Sequence, residues 1–360
     1  MESTIQVSNH LFTLTEFAQH CYDKNDHWLK PAQSFVNDWI EGKPTFTLQT
    51  SGSTGAPKLI EIKREQMIAS AKATISTLEL TQDLNALVCI NTAYIGGKMM
   101  LLRGIIGNWN IELIEPSMDP SKNASKSHYD FAALVPLQVL TMMKNPASKG
   151  FLNNIDQVII GGAPITEHLK SEIQHLRNKC YHTYGMTETV SHIALKSLNG
   201  PHKSDWFNTL QGNEIDVDER SCLKVKGAVT NGEWIQTNDI VILNKGNFKW
   251  LGRADLVVNS GGVKIIIEQS EQHLRNYLPK GISGTFVYWK KPDQALGEKL
   301  VGIATDQRII DYVESSKTEL EKALPPYSLP KEWLLTKNIL FTESGKPDRS
   351  STYSQTQHRD

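Results

Sequence analysis

Cysteine is scarce in this chain, and no two of its cysteines stand close together. The four are Cys21, Cys89, Cys180 and Cys222, and none belongs to a C-x-x-C pair. This spacing argues against a cysteine zinc site and against a disulfide framework, because both need clustered or regularly spaced thiols. Isolated thiols are typical of a reducing compartment, and the start lacks the basic and then apolar run of a signal peptide. We therefore expect a cytoplasmic protein.

An excess of one charge and a long apolar run are also missing. Lys and Arg number 38 and Asp and Glu 39, for a formal net charge of -1, so we expect no nucleic-acid partner. The most apolar stretch, Phe131 to Met143, contains Pro136 and Gln138 and is too short to span a bilayer, so no membrane insertion is expected. The remaining composition, 39% apolar and 21% charged, is that of an ordinary soluble protein with room for two or three domains.

Short apolar runs alternate with helix-like segments from about residue 45 to residue 184. The strand-like runs are 45–50, 59–63, 86–90, 111–114, 131–135, 157–160 and 180–184. Helical spacing appears between several of them, as in 65–77 and 166–177. This alternation is typical of an α/β domain with largely buried strands.

The pattern changes twice in the second half of the chain. Residues 205–252 contain many short strand-like runs with Gly or Asn turns, which predicts a small β-rich subdomain. Beyond Arg253, two strands and one helix are predicted, at 285–289, 300–304 and 309–324. We therefore predict a large N-terminal α/β domain with the β-rich subdomain, residues 1–254, and a small α+β C-terminal domain, residues 255–360.

The strongest single motif lies between two predicted strands. It reads Thr50-Ser51-Gly52-Ser53-Thr54-Gly55-Ala56-Pro57-Lys58. Glycines let the backbone curl so that its N–H groups point inward, hydroxyls add donors, and Lys58 adds a positive charge, which together suit a polyphosphate. The segment is not a Walker A loop, because Leu59 stands where that loop has Ser or Thr. Taken alone, it is equally consistent with a solvated hairpin turn.

A second motif, Tyr184-Gly185-Met186-Thr187-Glu188-Thr189, follows another predicted strand. A tyrosine ring can stack on a purine, a hydroxyl can donate to a phosphate, and a carboxylate can hold Mg²⁺. On its own, the segment is better explained as a helix start with Thr187 as N-cap, which needs no ligand.

The order of the motifs along the chain changes that interpretation. Further members of the series are Gly161-Gly162-Ala163-Pro164, Thr237-Asn238-Asp239, Gly252-Arg253-Ala254-Asp255, Ser260-Gly261-Gly262-Val263-Lys264-Ile265 and a late Gly345-Lys346. From about residue 47 to residue 349, the series resembles the adenylate-forming superfamily of acyl-CoA synthetases, peptide-synthetase adenylation domains and luciferases. The resemblance implies an enzyme that activates a carboxylic acid with ATP and passes the acyl group to coenzyme A.

The resemblance also implies a role for each matching position in ATP binding. The segment from Thr50 to Lys58 would grip the β- and γ-phosphates. The adenine would lie between Gly162, Ala163, Pro164, Tyr184 and Gly185, and the α-phosphate would meet Thr187. Glu188 would hold Mg²⁺, while Asp239 and Arg253 would bind the ribose. Asn238 stands where much of the superfamily has Gly, which is a mild departure because Asn also tolerates unusual backbone angles.

The resemblance also implies roles in the domain movement, in the adenylation step and in coenzyme A binding. Asp255 matches the pivot of the small C-terminal domain, which in this family takes one orientation for adenylation and another for thioester formation. Lys346 matches the lysine that enters the site during adenylation, where an ammonium offsets the negative charge of the reacting oxygens. Gly261 and Gly262, with Lys264, would line the route of coenzyme A. Without the resemblance, the two glycines would be a plain turn and Lys346 a solvated residue.

The chain departs from most of the superfamily near its start. The phosphate loop begins at Thr50, where most members carry a whole subdomain first. A compact chain of this kind resembles the short o-succinylbenzoate–CoA ligases of menaquinone biosynthesis, and segments 94–103 and 187–194 support that narrower resemblance. The role of residues 1–45 and the formation of a homo-oligomer stay open.

The acid of that branch has two carboxylates, of which only one reacts. The pocket should therefore offer a donor or a cation to the other carboxylate. By motif position, the candidates are Lys98, Arg103, Ser191 and His192. If the protein is another acid–CoA ligase, Tyr94 and the small pair Gly96-Gly97 would shape a different acid pocket. Lys98 or Arg103 could equally be solvent-exposed helix residues, and His192 could be a hydrogen-bonded core histidine.

Three functions are compatible with these motifs. The first is an o-succinylbenzoate–CoA ligase, and the second is another aryl- or acyl-CoA ligase with the same mechanism. The third is a nucleotide-binding regulatory protein that has lost turnover. The joint presence of Lys58, Glu188, Asp239, Arg253 and Lys346 argues against the third, because a pure binder does not need the late lysine. A domain that loads a carrier protein is not expected, since no carrier segment follows Lys346.

Overall fold

The computed structural model describes residues 3–21, 24–49, 59–279, 281–282, 284–342 and 347–357. Contacts within the chain divide it into two compact units. The first comprises Met1–Asp216, Lys224–Ile235 and Leu243–Phe248, and the second comprises Val217–Leu223, Gln236–Ile242 and Lys249–Asp360. The predicted pivot at Asp255 lies inside the second unit, and the predicted boundary between 254 and 255 stays a prediction.

Secondary structure is distributed over the whole described chain. The strands are β1 (Thr4–Val7), β2 (His10–Thr13), β3 (Thr45–Gln49), β4 (Leu59–Lys63), β5 (Asn85–Val88), β6 (Asn110–Leu113), β7 (Tyr129–Leu134), β8 (Ile155–Ile160), β9 (Lys179–Gly185), β10 (His192–Ser197), β11 (Phe207–Thr209), β12 (Asn213–Val217), β13 (Cys222–Gly227), β14 (Ile235–Asn244), β15 (Asn247–Arg253), β16 (Val257–Ser260), β17 (Val263–Ile266), β18 (Phe286–Asp293), β19 (Gly297–Ala304) and β20 (Glu332–Leu335). The α-helices are α1 (Leu14–Gln19), α2 (Lys30–Ile40), α3 (Arg64–Thr77), α4 (Ile95–Gly107), α5 (Pro136–Met143), α6 (Pro146–Asn153), α7 (Glu167–Ile173), α8 (Ile267–Arg275), α9 (Gln307–Ser315), α10 (Lys317–Ala323) and α11 (Arg349–Gln357). Among the residues described, no helix combines the length and the apolar character needed to cross a membrane.

The first unit is built around a sheet whose central strands are parallel. Its strand order is β11-β10-β9-β8-β7-β5-β6-β1-β2. All pairs from β9 to β1 in this order are parallel, whereas β2 and β10 run antiparallel to their neighbours. Parallel strands need crossover connections, which explains why strand-like and helical segments alternate in the sequence. The predicted α/β class is therefore confirmed.

The core of this unit lies between the parallel strands and three helices that connect them. Tyr129 and Ile160 on the strands pack in one buried cluster with Val139 of α5, Leu152 of α6 and Leu169 of α7. Burying each such apolar side chain stabilises the fold by about 1.5–3 kcal/mol. The continuous apolar runs seen in the sequence are the consequence of strands that are covered on both faces.

The strand order reverses between β5 and β7. From β5 the chain moves to β6 on one side, and it then returns past β5 to β7 on the other side. In open parallel sheets, ligands bind outside the carboxyl ends of the strands at such a reversal. The loops that follow β5 and β7 are therefore the first place to look for a site.

Helices α3 and α4 pack against each other in the first unit. Helix α3 begins after Lys63, whose backbone N–H donates to the Gln66 side chain at 2.9 Å. Helix α4 ends at Gly107, and its C-cap residue Asn108 takes a left-handed conformation with φ 54. The buried side of α4 includes Gly97 and Arg103, so Arg103 is not the solvent-exposed helix residue that the sequence also allowed.

The predicted β-rich region, 205–252, contains β11 to β15. Strand β11 pairs with β15 where Phe207 lies opposite Phe248. Strands β14 and β15 are joined by Lys245 and Gly246, which both have positive φ, as a tight hairpin turn requires.

The second unit has a sheet of its own. Its order is β17-β16-β19-β18, and β20 pairs with β19. Leu274 of α8, Ile309 of α9 and Leu320 of α10 pack on it in one buried cluster, which confirms the predicted α+β character. The single helix predicted at 309–324 is wrong: it is two helices, because Ser316 takes the non-helical angles φ -100 and ψ 12 between α9 and α10.

Candidate functional site

Four loops of the first unit follow the carboxyl ends of adjacent parallel strands. These are residues 89–94 after β5, 135 after β7, 161–166 after β8 and 186–191 after β9. Because the four strands are parallel neighbours, their carboxyl ends meet at one edge of the sheet. The structure thus brings together, from distant parts of the sequence, Tyr94, Gly162, Ala163, Pro164, Gly185, Thr187, Glu188 and Ser191.

Gln138 ties the loops after β5, β6 and β7 together. Its side-chain oxygen accepts from the backbone N–H of Val135 at 3.0 Å. Its side-chain nitrogen donates to the carbonyl oxygens of Cys89 at 3.0 Å and Ser117 at 2.9 Å. The side chain is buried, so it satisfies backbone groups that water does not reach. No motif in the sequence predicts this residue.

Two glycines of the predicted motifs are required by close packing. A Cβ on Gly185 would lie 2.2 Å from the carbonyl oxygen of Ser191, and one on Gly97 would lie 2.5 Å from that of Asn91. Real Cβ atoms essentially never come so close to backbone. Glycine therefore lets β9 approach the start of β10, and it lets α4 approach the loop after β5.

Tyr184 is the penultimate residue of β9, and its ring packs against two phenylalanines. Its centroid lies 5.7 Å from Phe207 and 4.9 Å from Phe248, with the second contact edge to face. His182, on the same face of β9, lies 5.3 Å from Phe207. Burial, together with the charge of Lys196, lowers the pKa of His182 to about 3, so its ring is neutral. The Lys196 Nζ lies 4.6 Å from the centroid of the Phe207 ring, so this aromatic cluster has a cation beside it. An aromatic face suits a flat ring such as a purine.

The segment after β9 has a strained backbone. Thr187–Thr189 form a single 3₁₀ turn. Val190 then takes φ 66 and ψ -57, and the N–H of Ser191 donates to the carbonyl of Thr189 at 2.7 Å. These are the features of a γ-turn, which is rare for a β-branched residue and persists where surrounding contacts hold it. The buried Thr189 hydroxyl supplies such contacts, since it accepts from the Met186 N–H at 3.1 Å and donates to the Ser191 carbonyl at 2.8 Å.

Glu188 projects from this turn and is exposed. Within the described ranges, no hydrogen bond or ion pair involves its carboxylate. Carboxylate oxygens are the ligands that Mg²⁺ prefers in proteins. Glu188 is therefore available to hold that ion, and the half-buried Thr187 precedes it on the same turn.

A buried arginine meets the residues that follow this turn. Arg103 on α4 is 1% exposed. Its Nη2 donates to the Ser191 Oγ at 3.0 Å and lies 3.5 Å from the His192 Nδ1, while its Nε donates to the Thr74 Oγ1 at 3.2 Å. Burial lowers the pKa of Arg103 to about 9, which leaves it cationic at neutral pH. Burial and the Arg103 charge lower the pKa of His192 well below its ordinary value, so the imidazole is neutral.

No acid balances this cation in the part of the chain that the structure describes. The partners of the Arg103 guanidinium there are two hydroxyls and an imidazole nitrogen, and its Nη1 has no acceptor. A buried charge without a counter-charge is costly to the folded state. The arrangement therefore fits a site that receives an anion from outside the protein.

Lys98 of α4 hydrogen-bonds to the loop that precedes this helix. Its Nζ donates to the carbonyl oxygens of Thr92 at 3.0 Å and Ala93 at 2.8 Å, and burial lowers its pKa. Tyr94, in contrast, is 67% exposed. Lys98 thus holds the loop after β5, and its contact with a substrate stays a prediction.

The second unit contains the acceptor and the cation predicted for the ribose. Asp239 accepts from the Trp250 Nε1 at 3.0 Å, and its backbone N–H donates to the Thr237 Oγ1 at 3.0 Å. Arg253 forms two hydrogen bonds with the Asp255 carboxylate, at 2.9 and 3.2 Å. Each of these polar groups has defined protein partners, so their orientation does not depend on a ligand.

Gly261 and Gly262 form the turn between β16 and β17. Their φ angles are 58 and 83, and Ser260 pairs with Val263 on either side. A tight hairpin with two positive φ angles needs such residues, so the plain-turn interpretation holds for the backbone. Lys264 is exposed on β17. A role of these residues for coenzyme A stays a prediction.

Two predicted parts of the site lie outside the described residues. One is the phosphate loop with Thr50, Ser51, Gly52, Ser53, Thr54, Gly55 and Lys58, and the other is Lys346. A residue that no motif predicts is Thr74, which contacts Arg103 and His192. In the sequence, Thr74 could have been found as a polar residue on the side of α3 that also carries the buried Met67 and Ala71.

Comparison with known sequences identifies relatives over most of the chain. The AMP-binding enzyme family matches residues 9–219, which is more than half of the chain. A 2-succinylbenzoate–CoA ligase from Listeria monocytogenes is 25% identical over 342 residues, covering 89% of this chain and 72% of that protein. The ligase of that name from Escherichia coli is 24% identical over 300 residues, covering 79% of this chain. The chain spans only 63% of the length of the Escherichia coli protein.

Solved structures have the same fold. An acyl-CoA synthetase (AMP-forming)/AMP-acid ligase II-like protein from Dyadobacter fermentans is 38% identical with a TM-score of 0.65, covering 95% of this chain and 98% of that chain. An o-succinylbenzoate coenzyme A synthetase from Bacillus subtilis, in complex with ATP and magnesium ion, has a TM-score of 0.67 at 19% identity, covering 85% of this chain and 69% of that chain. The family match and the relative of nearly equal length show that this chain belongs to the AMP-binding enzyme family.

Proposed function

We propose that this protein is an ATP-dependent acid–CoA ligase whose acid is 2-succinylbenzoate. The observation that carries the proposal is the buried Arg103 without an acidic partner in the described chain. An acid with a second, non-reacting carboxylate would supply that partner, and the Ser191 hydroxyl would add a donor. A simple monocarboxylic acid would leave the cation unpaired.

The names of similar proteins support the same reaction. The relatives from Listeria monocytogenes and Escherichia coli are called 2-succinylbenzoate–CoA ligases. The structure from Bacillus subtilis is that of an o-succinylbenzoate coenzyme A synthetase with ATP and magnesium. The relative from Dyadobacter fermentans is described as AMP-forming. ATP, Mg²⁺ and coenzyme A are accordingly the partners we propose.

The proposed reaction has two steps. First, a carboxylate oxygen of the acid attacks the α-phosphorus of ATP, and the bond to diphosphate breaks, which leaves an acyl-adenylate. Then the sulfur of coenzyme A attacks the acyl carbon and loses its proton, and AMP leaves with the bonding electron pair. Splitting the reaction in this way replaces one difficult displacement by two easier ones.

Residues at the edge of the first sheet would serve the first step. Tyr184 and the segment 161–164 would frame the adenine, and Thr187 would donate to the α-phosphate. Glu188 would hold Mg²⁺, which when bound neutralises charge on the phosphates. The exposed carboxylate of Glu188, which has no partner among the described residues, fits this role. The loop from Thr50 to Lys58 and Lys346 belong to the same step by resemblance.

Residues of the second unit complete the proposed assignments. Asp239 and Arg253 would bind the ribose, for which an ionised acceptor suits two neighbouring hydroxyl donors. Gly261, Gly262 and Lys264 would contact coenzyme A. These roles rest on the resemblance and on the exposure of the turn.

The test is AMP release and thioester formation with a panel of acids, each with and without coenzyme A. We expect AMP with 2-succinylbenzoate, and a thioester only when coenzyme A is present. The matched control is an analogue in which the non-reacting carboxylate is replaced by hydrogen, which should be a poor substrate. AMP release with a different acid would keep the mechanism and refute the substrate. ATP binding without turnover of any acid would favour a regulatory protein.

A further inference from the structure

Thr74 contacts both Arg103, to which the acid's second carboxylate is proposed to bind, and His192. It lies in the middle of α3 and is 0% exposed. Its hydroxyl oxygen is 3.2 Å from the Arg103 Nε and 3.0 Å from the His192 Nε2. It is also 3.1 Å from the carbonyl oxygen of Ser70, one helical turn earlier.

The hydrogens in this cluster can be assigned by counting donors and acceptors. The Nδ1 of His192 faces the Nη2 of Arg103, which has only hydrogens to offer, so Nδ1 is the bare nitrogen of the neutral ring. The ring proton is then on Nε2 and is donated to Thr74. Because the Arg103 Nε also donates to Thr74, both lone pairs of the hydroxyl are used. Its single hydrogen goes to the Ser70 carbonyl.

We propose that Thr74 is a positioning residue of the acid site. Its hydroxyl holds the Arg103 guanidinium and the His192 ring in one orientation, in which Nη1 faces the second carboxylate of the acid. This inference rests on the proposed function. Thr74 acts through Arg103 and does not touch the substrate. Without the hydroxyl, two buried N–H donors lose their common acceptor, and the guanidinium turns to find others.

The test compares Thr74→Val, which keeps the shape of the side chain, with Thr74→Ser, which keeps the hydroxyl. KM and kcat are measured for 2-succinylbenzoate, for ATP and for the analogue without the non-reacting carboxylate. We expect Thr74→Val to raise the KM for 2-succinylbenzoate about 10-fold, the scale of one hydrogen bond to a charged group. The KM values for ATP and for the analogue should stay unchanged, and Thr74→Ser should restore the KM for the acid.

A matched control is Ser70→Ala. It removes another buried hydroxyl from the same helix, and that hydroxyl has no hydrogen-bond partner among the described residues. This variant should leave all three KM values unchanged. Thr74→Ala serves as the second variant if Thr74→Val does not give folded protein, as judged by its melting temperature.

Several outcomes would overturn the positioning role. An unchanged KM for 2-succinylbenzoate in Thr74→Val would do so. Equal increases in KM for both acids, or a similar defect in Thr74→Ser, would show that Thr74 only packs. If the wild-type protein does not turn over 2-succinylbenzoate, the proposed function itself fails. If wild type turns over 2-succinylbenzoate and Thr74→Val has the same KM for it, the positioning role is refuted and the proposed function stands.

Discussion

Because Arg103 is buried, it would bind an anion more strongly than an exposed arginine would. In water its charge would be screened, whereas an ion pair at low effective dielectric is several times stronger. The folded chain already bears the cost of desolvating the guanidinium, as its lowered pKa shows. An incoming carboxylate therefore gains an interaction that no described acid of the protein competes for.

Replacing Arg103 by Met should weaken the binding of the acid far more than the binding of ATP. Met has a similar length and no charge, so the buried position stays filled. We expect the KM for 2-succinylbenzoate to rise about 100-fold, which corresponds to a charge-assisted interaction of about 3 kcal/mol. The KM for ATP should change by less than about threefold. Steady-state kinetics measure both, and an equal effect on the two substrates would contradict the assignment.

Motif position makes Lys98 and Arg103 of α4 candidates for contact with the acid, but it does not predict how each side chain is held. Lys98 and Arg103 stand on the same helix, yet Lys98 donates to its own loop and Arg103 is buried against Ser191. Five residues correspond to about 140° around a helix, so the two side chains point to different neighbours. Which of them meets a substrate depends on packing that no motif describes.

Among the elements, helix α8 of the second unit has a buried glutamate, Glu271, and a half-buried one, Glu268, in different surroundings. Glu271 accepts from the Arg349 Nη2 at 2.9 Å and from the backbone N–H of Tyr288 at 2.6 Å, which joins α8 to α11 and β18. The Oε2 of Glu268 is buried and has no hydrogen-bond partner among the described residues. Burial that hydrogen bonds and a nearby cation offset only in part favours the neutral form of a carboxyl group, as it does for Glu268.

Replacing Glu268 by Gln should make stability less dependent on pH. Burial, only partly offset by the Arg349 charge, raises the pKa of Glu268 to about 7. A raised pKa in the folded state stabilises the protein at low pH, and that contribution is lost as the pH rises through 7. The free energy of unfolding of the Gln variant minus that of wild type should therefore rise by about 2 kcal/mol from about pH 5 to about pH 8.5. Urea unfolding at both pH values tests this, and a difference that is constant with pH would contradict it.

Periodicity predicted the parallel strands β5 to β9 of the first sheet and the strands β18 and β19 of the second. It missed β1, β2 and β10 of the first sheet and β16, β17 and β20 of the second. Strand β1 was not predicted, because it is stabilised by pairing with β6, where Thr4 lies opposite Asn110. A contact over such a distance leaves no local pattern. The break at Ser316 was missed because the apolar spacing of α9 continues into α10. Serine favours such interruptions, since its hydroxyl competes for backbone groups.

For the molecule as a whole, the prediction is that Lys346 serves only one of the two steps. Lys346→Ala should slow acyl-adenylate formation by about 10²- to 10³-fold, the usual scale for losing one charge partner of a transition state. The variant should still convert preformed acyl-adenylate and coenzyme A to thioester at a near-normal rate. Single-turnover assays of each step measure the two rates separately.

A suitable control for that variant is Lys337→Ala. Lys337 is an exposed lysine of the same unit, so its loss changes the net charge equally without touching a predicted site residue. It should leave both steps unchanged. A parallel fall of both rates in Lys346→Ala would refute the idea that this lysine is specific to adenylation.

The amino-acid sequence by itself determined the α/β class and the family. Strand and helix periodicity is a local property of the chain, and so is the order of the glycine, hydroxyl and carboxylate motifs. Only the tertiary structure decided that Arg103 is buried without a described acid and that Thr74 holds it next to His192. These contacts join Thr74 to residues 29 and 118 positions away. They exist because α3, α4 and the start of β10 pack together, and burial of that kind follows from packing and not from any local pattern.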